Sequence, residues 1–143
     1  MVSMKQAAPA KAEPSPVVEL RELHKSFGAL EVLKGISFTA REGQVVSLIG
    51  SSGSGKSTLL RCINMLEIPD SGNVLIDGEA IVLKGNGQGR SIGDEHQIRR
   101  IRSELGMVFQ SFNLWAHMTI LENVMEAPLV VQKRARPEVE AEA

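Results

Sequence analysis

The sequence predicts an α/β fold, and three observations carry that expectation. Val45-Val46-Ser47-Leu48-Ile49 is a short, nearly continuous apolar run of the kind a strand shows when both its faces are buried. A glycine-rich loop follows it at once, and beyond the loop Leu59, Leu60, Ile63 and Leu66 mark one face of a helix. Strand-like patterns before the run, and a hairpin pattern after the helix, add β structure to the same domain.

Taken in order, residues 1–16 are rich in Ala and Pro, with Pro9, Pro14 and Pro16 in close succession. Such a stretch buries little apolar surface and is expected to be a disordered tail, with the folded part over 17–143. Val17, Val18, Leu20 and Leu23 predict a first strand ending near Phe27-Gly28. Val32, Leu33, Ile36 and Phe38 predict a second, in which Ile36 and Phe38 alternate as in a half-buried strand. Glu42-Gly43 signals the turn into the run at 45–49, and the helix after the loop is predicted over 57–66. Pro69-Asp70-Ser71-Gly72 is a turn in which Pro presets φ and Gly permits φ > 0. Val74-Leu75-Ile76 then turns back through Asp77-Gly78 onto residues 80–83, a hairpin. Gly85, Gly87, Gly89 and Gly93 make 85–93 a flexible loop, followed by a helix over 95–105 and a short strand, Met107-Val108-Phe109. Thr119 and Glu122 have capping-box spacing and open a helix whose Ile120, Leu121, Val124 and Met125 are expected to face a core. Residues 137–143 read as the start of one more helix.

Composition narrows the functional classes. A hydrophobic content of 43% supports a real core in 143 residues, and a formal net charge of −1 gives no general reason to expect nucleic-acid binding. Aromatic content of 3% disfavours a single-strand binder built on stacking platforms. The single cysteine, Cys62, cannot form an internal disulfide, which fits a reducing cytoplasm, and it reads as a small core side chain rather than a nucleophile. The N-terminus has no apolar h-region, and no stretch reaches the roughly 18 apolar residues that cross a bilayer. A role at a membrane would therefore require docking by a partner. His24, His96 and His117 lack metal-ligand spacing, and Arg99, Arg100 and Arg102, flanked by Glu95 and Glu104, read as a solvated helix face.

The chemistry lies in the loop Gly50-Ser51-Ser52-Gly53-Ser54-Gly55-Lys56-Ser57-Thr58, which matches G-x-x-x-x-G-K-[ST]. Phosphate is held by backbone N–H groups that converge on it, so bulky side chains and ordinary φ/ψ would obstruct the loop. Gly50, Gly53 and Gly55 remove both obstacles. The helix that follows offers its unpaired amides and positive dipole end to the same anion. Lys56 brings a point charge to the β and γ phosphates, the Ser57 hydroxyl can ligate Mg²⁺, and Thr58 reaches the α-phosphate side.

Strand, loop and helix alone do not choose among kinases, GTPases and transporter ATPases; the flanks do. Leu23-His24-Lys25-Ser26-Phe27-Gly28, Val32-Leu33-Lys34-Gly35-Ile36-Ser37-Phe38 and Glu42-Gly43-Gln44-Val45-Val46 resemble the ATP-binding cassette of ABC transporters. So do Ser57-Thr58-Leu59-Leu60-Arg61-Cys62-Ile63-Asn64, Pro69-Asp70-Ser71-Gly72 and Ile76-Asp77-Gly78. Met107-Val108-Phe109-Gln110, with Leu114, Met118-Thr119 and Glu122-Asn123-Val124, is similar to that family's Q-loop segment. Within the family, the segments Phe109-Gln110-Ser111-Phe112-Asn113-Leu114-Trp115 and Asn123-Val124-Met125-Glu126-Ala127-Pro128 look like the importers of polar amino acids.

The resemblance covers about residues 17–137. It implies a P-loop NTPase core with an N-terminal antiparallel β-subdomain, incomplete because it stops before the signature motif. It places Phe27 where the family stacks an aromatic ring on adenine; most members have Tyr there, so the stacking face is kept and the hydroxyl lost. It gives Gln110 the role of the Q-loop glutamine, contacting Mg²⁺ and the attacking water. It implies ATP and Mg²⁺ as cofactors and a homodimer in the full-length form. It implies integral membrane permease subunits contacting the segment after Gln110, and indirect cooperation with a periplasmic or extracellular solute-binding protein. The expected location is peripheral, on the cytoplasmic face of the cell membrane. Beyond Gln110 no Leu-Ser-Gly-Gly-Gln occurs, no apolar strand ends in Asp-Glu, and His117 lies too close to the Q-loop to be a switch histidine. The chain alone is thus expected to bind nucleotide without useful ATP hydrolysis. The alternatives are a truncated non-catalytic nucleotide-binding chain and another P-loop NTPase such as a small kinase, for which no lid or acceptor site is recognisable.

Overall fold

The computed structural model describes residues 14–143, which fall into two compact units divided between Gly106 and Met107. Residues 1–13 of the expected tail lie outside the described residues. Pro16, the last residue assigned to that tail, instead opens the first strand and pairs with Arg41.

In the first unit, β1 (Pro16–Phe27), β2 (Leu30–Arg41), β3 (Ser71–Ile76) and β4 (Glu79–Ala80) form one antiparallel sheet in the order β2-β1-β3-β4. Leu20 and Leu23 are both buried although they stand three residues apart, an odd spacing that strict alternation would send to opposite faces. A bulge resolves this. Leu20 pairs with Phe38 and Leu23 with Ile36, so β1 spends one more residue than β2 over the same span. The extra residue is accommodated at Glu22, whose φ is 48°. Its N–H donates to Ser37 Oγ at 2.8 Å, and the Ser37 hydroxyl donates back to Glu22 Oε1 at 2.8 Å. The bulge also explains Gly72, which has φ +84°; a Cβ there would lie 2.2 Å from the Glu22 carbonyl oxygen. The hairpin expected at Asp77-Gly78 is present. Both turn residues have positive φ (49° and 79°), as a two-residue type I′ turn requires.

The sheet shares its core with two helices, α1 (Lys56–Ile63) and α2 (Glu95–Glu104). Helix α1 is shorter than the predicted 57–66 because Asn64 caps it and Met65 turns to φ 58°. The predicted apolar face is also corrected. Leu59 faces the core, but Cys62 and Met65 join it there, while Leu60 and Leu66 stay about half exposed. Helix α2 starts on Asp94, whose Oδ1 accepts from the N–H groups of His96 (2.9 Å) and Gln97 (3.1 Å). Ile98 and Ile101 are buried, and the Gln97 amide ties the helix to the hairpin through Val82, Glu79 and Ala80. Arg100 pairs with Glu79, and Arg102 donates to the carbonyls of Asn64 and Met65 at the end of α1. Arg99, Arg100 and Arg102 are all exposed, as a solvated face should be, and two of them also tie α2 to its neighbours. Across 85–93, β5 (Leu83–Lys84), just before the loop, pairs with β6 (Ser91–Ile92) around a short 3₁₀ turn at Gly87–Gly89, so this loop has more order than its glycines imply.

Two predicted strands do not form. Residues 45–49 and 107–109 belong to neither sheet, and Val45, Ile49 and Val108 are 94%, 96% and 98% exposed. A parallel strand exists only when strands flank it and helices cover it, and no described strand pairs with either segment.

The second unit, Met107–Ala143, holds α3 (Ile120–Glu126) and α4 (Arg136–Glu142), with a π-helical turn at Ala127–Val131 following α3. The capping box of α3 is formed: Thr119 Oγ1 accepts from the Glu122 N–H at 3.2 Å, and Glu122 Oε2 accepts from the Thr119 N–H at 2.8 Å. The Asn123 side chain holds the preceding turn through Trp115 and Met118. Of the four residues expected to face a core, only Met125 is buried; Ile120, Leu121 and Val124 are exposed.

Candidate functional site

The loop at 50–58 is positioned by what brackets it. Gly55 is the N-cap of α1 with φ 92°. A Cβ at Gly55 would lie 3.0 Å from Val32 Cγ1 and 3.2 Å from the Val32 carbonyl oxygen, so both conformation and space call for glycine. The loop is thereby pressed against β2 at Val32, two residues beyond Leu30, the partner of Phe27. Phe27 and the loop are thus joined through one hairpin. Inside the loop, Ser54 N–H donates to the Ser51 carbonyl at 3.3 Å, and Gly53 takes φ 78°.

Lys56 turns its ammonium back over the loop. It donates to the carbonyls of Gly50 (2.8 Å) and Ser51 (2.6 Å) and to Ser54 Oγ (3.2 Å). A cation is therefore held where the loop's backbone converges. Gly50, Ser51, Ser52, Gly53, Ser54 and Ser57 are exposed, and Gly55, Lys56 and Thr58 are partly buried. Beside the loop, Val18, Phe38, Val46, Leu48, Leu60 and Ile63, together with Lys56 and Ser57, line a mostly apolar cleft of about 480 Å³.

Phe27 ends β1 at 47% exposure, with Lys25 Nζ 5.2 Å from its ring centroid. Lys25 and Asp70 enter the sequence reading only as members of the segments 23–28 and 69–72, without a role of their own; Asp70 organises the neighbourhood. Asp70 Oδ2 accepts from the Ser26 N–H at 2.7 Å, and its own N–H donates to the His24 carbonyl at 2.9 Å. Their contacts are not legible in the sequence, because they join positions more than 40 apart. Cys62 is fully buried, and burial pushes its thiol up to about 11, with Lys25 opposing the shift. This favours the inert core thiol over a nucleophile. Gln110 lies in the second unit and is exposed. Among the described residues no cluster of His, Cys, Asp and Glu could hold a metal ion, and no helix is long and apolar enough to cross a membrane.

Residues 33–143 match the ABC transporter family profile. The nopaline permease ATP-binding protein P of Agrobacterium fabrum is 58% identical over 125 residues, covering 87% of this chain and 49% of that protein. The histidine/lysine/arginine/ornithine transport ATP-binding protein HisP of Salmonella typhimurium is 57% identical over 111 residues, covering 77% and 43%. A solved dimeric bacterial ABC transporter cassette superposes with a TM-score of 0.71 at 33% identity, over 87% of this chain and 53% of that one. The chain thus spans about half the length of the curated relatives it matches. The match takes in the phosphate loop, α1, the antiparallel hairpin and the segment around Gln110, and the chain belongs to the ABC transporter family.

Proposed function

We propose that this chain is the nucleotide-binding front portion of an importer's ATP-binding subunit, which powers uptake of polar amino acids by binding and hydrolysing ATP as a full-length dimer. The observation that carries this reading is the loop at 50–58, opened by glycines onto the start of α1 with Lys56 folded over it. Backbone amides and the positive end of α1 cradle the phosphates. Lys56 exchanges the neutral carbonyls of Gly50 and Ser51 for the charged β and γ oxygens, and charge-assisted bonds favour that exchange. Phe27 offers a half-exposed ring to the adenine. The Ser57 hydroxyl, at the start of α1, would offer Mg²⁺ a neutral oxygen donor. When bound, that ion neutralises charge on the β and γ phosphates.

The polar amino-acid class is supported by relatives such as the histidine/lysine/arginine/ornithine transport protein. The dimer is supported by the likeness to a dimeric cassette. After Gln110, Phe112 and Trp115 are 94% and 59% exposed, which suits a surface that receives membrane permease subunits at the cytoplasmic face of the membrane. A solute-binding protein would act only through those subunits.

Lys56→Ala in the full-length protein tests the reading. Its side chain bonds only to exposed loop atoms, so the unfolding midpoint should stay put. Affinity for ATP–Mg²⁺, measured by calorimetry, should fall at least about tenfold, as expected for losing a charge-assisted contact. Amino-acid uptake in reconstituted vesicles should be abolished, and uptake that survives would refute the role given to Lys56.

A further inference from the structure

The Phe27 ring is not simply an exposed aromatic at a strand end. Lys25 Nζ sits over it at 5.2 Å from the centroid, within the range where the ring's negative face attracts a cation. That ammonium is anchored independently of the ring. It donates to the Ile68 carbonyl at 2.7 Å, and carboxylate oxygens of Asp70 and Glu67 lie 3.7 and 3.8 Å away. The Lys25 side chain is only 13% exposed, an unusual degree of burial for lysine.

The anchor is itself fixed. The Asp70 side chain is 13% exposed, its Oδ2 accepts from the Ser26 N–H, and its Oδ1 is buried without a hydrogen-bond partner. Lys25 is the cation facing that oxygen. On the other side of Phe27, the Gly28 carbonyl accepts from Gln88 Nε2 at 2.9 Å. The ring is therefore held from below by a pinned cation and from its C-terminal side by a pinned backbone. It keeps enough exposed surface (47%) to receive a flat ligand.

From this geometry we infer that Lys25 is a positioning residue for nucleotide binding: it fixes the Phe27 ring as a preformed platform for the adenine base. The inference rests on the proposed role of Phe27. Two effects combine. A ring already held in one orientation gives up less rotamer freedom when the base arrives. A cation on one ring face also draws electron density from it, which favours stacking of an electron-rich purine on the other. Lys25 touches no phosphate in this scheme, so its contribution belongs to the base alone.

The test measures two ligands on the full-length protein, ATP and inorganic tripolyphosphate; the second engages the phosphate loop without a base. Lys25→Met keeps the stem and removes the charge. It should weaken ATP about three- to tenfold, the scale of re-ordering one side chain on binding, and leave tripolyphosphate unchanged. Lys25→Arg keeps a cation that stacks on rings and should bind ATP as wild type does. In a Phe27→Ala background, Lys25→Met should have no further effect on ATP. Unchanged ATP affinity in Lys25→Met, equal losses for both ligands, or a loss that persists without Phe27 would each overturn the inference. Unfolding midpoints of all variants are read alongside, and a loss for both ligands with a lowered midpoint counts as the structural outcome. If Phe27→Ala itself leaves ATP binding intact, the stacking role of Phe27 falls and Lys25 with it. A Phe27→Ala effect without one from Lys25→Met sinks only the positioning role.

Discussion

Gly72 shows how one residue can be demanded by a fault in a neighbouring strand. Its φ of +84° already disfavours any L side chain, and a Cβ would meet the Glu22 and Arg21 carbonyl oxygens at 2.2 and 2.6 Å. Those oxygens belong to backbone fixed by the β1 bulge, so they cannot swing aside as a side chain could. Gly72→Ala is expected to cost about 3 kcal/mol or more, combining left-handed strain with the overlap. Gly78→Ala, at φ +79° with nothing within 4 Å, should cost only the strain, about 1 kcal/mol. Urea unfolding of the two variants checks this, and equal costs would mean the bulge exerts no pressure on Gly72. The sequence marked Gly72 as a turn glycine, which is right about φ and silent about the bulge. The same limit hid Lys25. The phosphate loop is legible because its spacing is local, whereas Lys25 meets the Ile68 carbonyl across 43 positions. A single sequence records no sign of such a contact.

Helices were more legible than strands, because a helix closes its own hydrogen bonds while a strand borrows them from a neighbour. The Thr119–Glu122 capping box could be read as spacing and is present in full. Residues 45–49 carry the pattern of a buried strand but have no pairing partner. Helix α2 is legible as a pattern, yet its cap, Asp94, falls between the expected loop (85–93) and the expected helix (95–105). That cap gives α2 a pH dependence. The N–H of Gln97, then that of His96, hydrogen-bonds the Asp94 carboxylate and holds its pKa below the ordinary value. A carboxyl depressed in the folded state contributes stability that is fully present above its unfolded pKa and lost as pH falls through the folded one. Stability should therefore decline as the medium is acidified through and below the usual aspartate range. Asp94→Asn keeps a good capping acceptor without a titrating group. It should leave the neutral-pH midpoint nearly unchanged and flatten the acid limb of a plot of thermal midpoint against pH. An unaltered acid limb would show that Asp94 carries none of the slope and leave it to the other carboxyls depressed by hydrogen bonds, Glu19, Glu79, Glu122 and Glu142.

At the scale of the whole molecule, binding and turnover separate. The proposed binding would draw on elements that are built here: the β1–β2 hairpin carrying Phe27, the loop pressed on Val32, and α1 behind it. These share a core of Leu20, Leu23, Leu33, Leu59, Cys62, Val74 and Ile98, which gives the loop a fixed base. Hydrolysis asks for more. Phosphoryl transfer depends on placing metal, water and charge together, and among the described residues no apolar strand ends in the carboxylates that would hold metal and water. The apolar surface tells the same story from the packing side. Val45 and Ile49 are almost wholly exposed, and Leu60 and Leu66 about half, where the sequence pattern anticipates burial. In chains of the relatives' length, roughly twice this one, further residues are available to cover them. A polypeptide of these 143 residues is therefore expected to retain micromolar-to-millimolar affinity for ATP, the range left to a partly assembled site, while releasing phosphate at the buffer's background rate. Equilibrium binding and a steady-state phosphate-release assay on the same preparation decide it. Binding without release is the expected pair of results. Release at an enzymatic rate that disappears in Lys56→Ala would show that the loop and its surroundings suffice for catalysis, and the separation of binding from turnover would fall.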